Sequence, residues 1–240
     1  MDTFPVTRRE FLHVVLDCRV ASQSAAHQID MDFWAHFDRE HKYDDLAPIV
    51  AVSFEEASWF AWVFGGRLPT LAEWNRAARG DANNDYPWGL QFDPSLCNFS
   101  DSTFSAGPDI VDHLTHVDEY PGGASQFGIM DCLGNCREWT MTPAVPIDFI
   151  NRSKIEDRRK AARFWTANIS EVYVKNVGLN SHDRRIGSTV TAKRCNRHTP
   201  FSPSTFAGAT ARDFRNGFRV AYDASRLDED SVDLMQQVWK

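Results

Sequence analysis

The chain has 240 residues, 42% of them hydrophobic and 12% aromatic, enough to bury one sizeable core and to read as a single domain over 1–240. Its net charge of −7 argues against a nucleic-acid partner, because phosphate contacts favour a basic surface. Arg8, Arg9, Glu10 and Asp17 interrupt the amino-terminal apolar residues, so neither a signal peptide nor a membrane helix is legible there, and no membrane partner is expected.

Three helix starts use the same device. Thr7 with Glu10, Ser53 with Glu56 and Thr70 with Glu73 each place a hydroxyl at the N-cap and a carboxylate three residues on, the reciprocal box that satisfies otherwise orphaned N–H groups. The first helix is expected to bury Phe11, Val14 and Val15. The second should bury Phe54, Ala57 and Trp62 and end at Gly65-Gly66, and the third should stop at Gly80. The structural pattern begins almost at the first residue, which suggests a domain taken from a longer protein.

From 81 to 145 the periodicity gives way to turns rich in Asp, Asn, Gly and Pro, punctuated by aromatic residues. An irregular run of that length needs something besides regular hydrogen bonding to fix it, and bound cations would serve. Residues 151–163, "NRSKIEDRRKAAR", read as a basic, solvated segment. Strand-like pieces follow at "EVYVKNV" and "GFRVAY". Five cysteines, widely spaced apart from Cys132 and Cys136, do not make a secreted disulfide framework, so a reducing cytoplasm is the expected location.

The order of the motifs "PVTRREF", "RLPTLAEWNRAARG", "YPWG", "VDEYP", "FGIMDCLGNCREWT" and "GFRVA" resembles the formylglycine-generating enzyme (sulfatase-modifying factor) family over about residues 5–222. The resemblance implies an α+β, C-type-lectin-like fold with little regular secondary structure, short antiparallel strands and a few capped helices. The same fold serves copper-dependent oxidases that convert a peptide cysteine to formylglycine, iron-dependent sulfoxide synthases, catalytically silent paralogues and the variable proteins of diversity-generating retroelements. Fold alone therefore does not give the function.

The family pattern implies two structural calcium sites. Asp131 and Glu138 would supply side-chain oxygens to one, with carbonyls from Gly134 and Cys136; Asn98 and Asp109, with carbonyls from Phe99 and Val111, would make the other. Against this stands the plainer reading that Asn135 and Glu138 satisfy buried backbone groups. Cys132 and Cys136 read as buried apolar thiols, since no second cysteine pair completes a tetrahedral zinc site, although His113 and His116 offer a Cys2His2 alternative.

In the oxidases two cysteines five residues apart bind Cu(I), for which soft thiolates are suited. Here Cys195, in "CNRH", matches the second of the pair, but Val190 stands at the first position and no cysteine occurs between 137 and 194. The expected function is therefore a non-catalytic binding module. The alternative is a copper-dependent oxidase, or a thiol chemistry in which Cys195 is the catalytic residue and His198 its base.

Residues 196–217 contain no Lys, Gln, Glu, Met or Trp, and every residue belongs to the set that adenine mutagenesis of Asn codons ending in C can produce. The stretch mixes rigid aromatic anchors with Arg and small polar side chains, a composition suited to a protein or small-molecule ligand. The expected binding face is 194–216, with Arg194, Asn196, His198, Phe201, Phe206, Arg212, Asp213 and Phe214 in contact. Phe218 is assigned to the core and Arg219 to local carbonyls or carboxylates.

Overall fold

The computed structural model describes residues 1–16, 29–98, 113–143, 173–177, 205–208, 212, 214 and 216–223, with only the backbone described at 143, 173–177 and 205–208. All three expected capping boxes form. Thr7 opens α1 (Arg8–Leu16): its N–H donates to Glu10 Oε2 at 2.8 Å, and the Glu10 N–H returns a bond to Thr7 Oγ1. A helix not anticipated from the sequence, α2 (Met31–Glu40), is capped by Asp30, whose carboxylate accepts from the Phe33 N–H. Ser53 and Glu56 close the box of α3 (Phe54–Val63), and Thr70 and Glu73 that of α4 (Leu71–Arg79). Gly80 ends α4 with a φ of 68°, a left-handed conformation that favours glycine.

Four short strands make one mixed sheet in the order β3-β2-β1-β4: β1 (Arg137–Pro143), β2 (Tyr173–Val177), β3 (Thr205–Gly208) and β4 (Asn216–Gly217). The pairs β1/β2 and β2/β3 are antiparallel, with Glu138 opposite Val177 and Lys175 opposite Phe206, whereas β4 runs parallel to β1. Two expectations need correction. β1 lies inside the stretch read as turns, and of "GFRVAY" only Gly217 joins a strand, Ala221 making an isolated bridge with Arg67. The segment 151–163 lies outside the described residues.

The main core is aromatic. Phe11, Trp34, Phe37, Phe60 and Phe218 are all buried, with ring centroids 4.7 Å apart for Phe11 and Trp34 and 5.4 Å for Phe60 and Phe218. Such rings fill the interior with few regular elements. Phe218 points inward as expected. Trp62 does not: it is 70% exposed, because α3 is apolar nearly all round and its composition does not fix which side faces the core. No described helix is long and apolar enough to cross a membrane.

Candidate functional site

The glycine-rich stretch before β1 is held by one side chain. Asn135 Nδ2 donates to Asp131 Oδ2 at 2.8 Å and to the Thr115 carbonyl at 3.0 Å, while its Oδ1 accepts from Asn98 Nδ2 and the Thr115 N–H. Its own N–H donates to the Asn98 carbonyl. Three loops are thereby joined by amide hydrogen bonds. Gly134 makes the crossing possible: at φ 90°, a Cβ there would lie 2.5 Å from the Asn98 carbonyl oxygen.

Glu138 begins a second arrangement beneath the first. It is fully buried, and Arg219, also fully buried, forks onto it with Nε and Nη2 each 2.6 Å from a carboxylate oxygen. Trp74 Nε1 donates to Glu138 Oε2 at 2.8 Å. The remaining Arg219 hydrogens go to the carbonyls of Met130 and Thr3, and more distantly of Asp2, which is the scaffold role the sequence suggested for it. Each charge is neutralised where water cannot reach it.

This matching bears on calcium. Both Glu138 oxygens already accept from N–H donors and the Arg219 guanidinium neutralises the carboxylate, so Glu138 is matched by the chain's own groups. An ion held by Asp131, Gly134, Cys136 and Glu138 would share the Glu138 carboxylate with Arg219, as hydrogen-bonded ligating carboxylates do. Of the other set, Asn98 is described and donates to the His113 carbonyl and to Asn135, whereas Phe99, Asp109 and Val111 lie outside the described residues.

Asp131 is acidic and deeply enclosed. Burial pushes its pKa up from 3.8 to about 7, against the pull of the Asn135 hydrogen bond and of Arg219. A carboxyl raised in the folded state adds stability that is complete below its unfolded pKa and is lost as pH climbs through about 7. Asp131→Asn, which keeps an acceptor for Asn135 and tolerates the φ of 54°, should therefore raise the melting temperature more at pH 8 than at pH 4. The gain should be on the order of 1 kcal/mol or more, read by calorimetry at the two pH values. An equal shift at both would refute the linkage.

The described thiols are inert. Burial pushes Cys97 and Cys132 up to about 12 and Cys136 well above its ordinary value. Cys132 packs with Trp74, Ala78 and Ile129, while Cys136 belongs to the main aromatic core. His116 meets Asp44 at 2.9 Å instead of a thiol. The Cys2His2 alternative is not assembled.

Two members of the expected ligand face are described with their side chains, and both turn inward. Arg212 forks onto Glu56, with Nη2 2.6 Å from Oε1 and Nη1 on Oε2, and also reaches the Ala51 carbonyl at 3.2 Å. Its guanidinium lies 4.0 Å from the Phe33 ring centroid. Glu56 is fully buried, and accepts from Trp34 Nε1 and the Ser53 N–H as well. Phe214 stacks on Phe37 at 5.9 Å. The Glu56 pairing has no local signature, since its partner lies 156 residues away. Arg212 and Phe214 thus moor the segment to the core. Phe206 is placed in β3 by its backbone, while Arg194, Cys195, Asn196, His198, Phe201 and Asp213 lie outside the described residues.

Comparison with known proteins agrees with this architecture. Over 122 residues the chain is 38% identical to a formylglycine-generating enzyme of Mycobacterium tuberculosis, a match covering 47% of this chain and 40% of that protein. Over 103 residues it is 36% identical to inactive C-alpha-formylglycine-generating enzyme 2 of Mus musculus, covering 41% and 33%. It is 36% identical over 104 residues to the hercynine oxygenase of Mycolicibacterium smegmatis, covering 41% and 22%. Each match therefore spans less than half of the relative. The solved structure of CarF shares the fold, with a TM-score of 0.53 at 15% identity over 91% of this chain and 83% of that one. The family model for the sulfatase-modifying factor enzyme 1-like domain matches residues 1–224, and the chain belongs to that family.

Proposed function

We propose that this chain is a non-catalytic binding module on a C-type-lectin-like scaffold, with its ligand face in the segment that Arg212 and Phe214 anchor. The observation that carries the reading is Val190. The Cu(I) chemistry of the family's oxidases needs two thiolates, and this sequence offers Cys195 alone in that region. The likeness to an inactive paralogue supports the same reading. The composition of 196–217 supports a diversified face like that of retroelement variable proteins, holding a protein or small molecule. We place the chain in the cytoplasm because its cysteines make no disulfide framework.

The second reading is a copper-dependent oxidase, favoured by the 38% identity to the mycobacterial enzyme. Anaerobic Cu(I) titration separates the two. The natural chain should show no tight stoichiometric binding, and Val190→Cys should create a site that a further Cys195→Ser removes. Tight binding by the natural chain, abolished by Cys195→Ser alone, would establish the oxidase.

For calcium, the proposal keeps both sets, Asp131 and Glu138 with the carbonyls of Gly134 and Cys136, and Asn98 and Asp109 with the carbonyls of Phe99 and Val111. Chelation should lower the melting temperature by mass action, and an unchanged transition would remove calcium from the account.

A further inference from the structure

The amino-terminal segment, the end of α3 and residues 220–222 enclose a cleft of about 260 Å³ that no part of the proposed function uses. Its walls are apolar, from Phe4, Phe60, Phe64 and Val220, with the Phe60 and Phe64 rings 4.7 Å apart. Into this surface come two carboxyls, Asp2 and Glu10, and the hydroxyl of Tyr222, which lies 3.5 Å from Asp2 Oδ2. Concave apolar sites with a few convergent polar groups are where small molecules bind.

The two carboxyls share one sign, and the Tyr222 hydroxyl is neutral. Glu10 is matched by the Thr7 N–H at the helix cap, but the Asp2 carboxylate has no ion-pair partner among the described residues, since Arg219 beneath it is committed to Glu138. Burial pushes Asp2 up to about 6, against the pull of the Met1 ammonium and of Arg219. Burial also raises Glu10, and the nearby charge of Asp2 adds to it. A cation between the two acids would relieve both. Apolar walls cannot replace the hydration of a metal ion, but aromatic faces attract an organic cation and cover its hydrocarbon part.

We propose that this cleft binds a compact primary ammonium with an apolar body, its charged end between Asp2 and Glu10 and its hydrocarbon against Phe60 and Phe64. The test is an NMR titration of the intact chain with phenethylammonium, with phenethyl alcohol and phenylacetate as neutral and anionic controls. The ammonium should saturate one site, shift the Tyr222 and Phe64 resonances, and bind at least about tenfold more tightly than the alcohol. Asp2→Asn should bring its affinity down to that of the alcohol. Glu10→Gln, which keeps an acceptor for Thr7, should weaken it in the same direction should Asp2→Asn not fold. Equal binding of alcohol and ammonium, unsaturable binding, or a folded Asp2→Asn chain of unchanged affinity would overturn the assignment.

Discussion

Replacing Arg219 by Met is expected to lower folding stability by about 3–5 kcal/mol, a large share of what a domain of this size usually has. The hydrocarbon volume is roughly kept, so the loss is electrostatic. Glu138 would remain fully buried with Trp74 Nε1 as its surviving described donor, the Met130 carbonyl would lose the Arg219 hydrogen bond, and the Thr3 carbonyl would keep only the Met130 N–H. Adding Glu138→Gln should recover part of the loss, because an unpaired buried amide costs less than an unpaired buried charge. Urea denaturation of the two single variants and the double gives the coupling, expected at about 1 kcal/mol or more. Additive losses would mean that the pair does not act as a unit.

Glu56→Ala should be comparably severe, at about 3 kcal/mol or more, for a different set of reasons. This carboxylate completes the capping box of α3, accepts the indole N–H of Trp34 and neutralises Arg212, so its loss leaves three donors unmatched at once. It also removes the neighbour of a strained residue: Ala51, whose carbonyl Arg212 holds, sits at a φ of 59°, which a residue with a Cβ adopts at a cost. Arg212→Ala should cost less than Glu56→Ala, since the box and the Trp34 bond survive and the arginine is about a quarter exposed. Amide exchange at Ser53 should quicken in the glutamate variant and stay slow in the arginine variant. Equal exchange in both would assign the protection to Arg212 instead of the box.

What the sequence made legible was local. The capping boxes are pairs three residues apart, and their chemistry does not depend on the rest of the chain. Phe218 and Arg219 were also placed correctly, since a large ring beside an arginine near a strand has few other uses. The partners of Glu138 and Arg212 were not legible, because each is half of an ion pair whose other half lies 81 or 156 residues away. A lone carboxylate looks like a metal ligand, and a lone arginine among aromatics looks like a binding contact. The helix at Met31–Glu40 was missed although Asp30, Phe33, Trp34 and Phe37 carry its cap and buried side. The role of Asn135 in the irregular stretch was not legible, because a side chain that joins three loops has no periodic signature.

The amino-terminal segment is stitched to residues 218–221: Asp2 donates to the Val220 carbonyl at 2.8 Å, Val6 to Phe218 at 2.9 Å, and Arg67 and Ala221 exchange a pair of such bonds. During synthesis the first helices therefore leave the ribosome long before residues 218–221, which close over them. The nascent chain must hold Phe11 and Phe60 without Phe218, and Glu138 without its counter-charge, until residues 218–221 emerge. The core is accordingly completed late in synthesis, and the aromatic surface that Phe218 covers stays open until then.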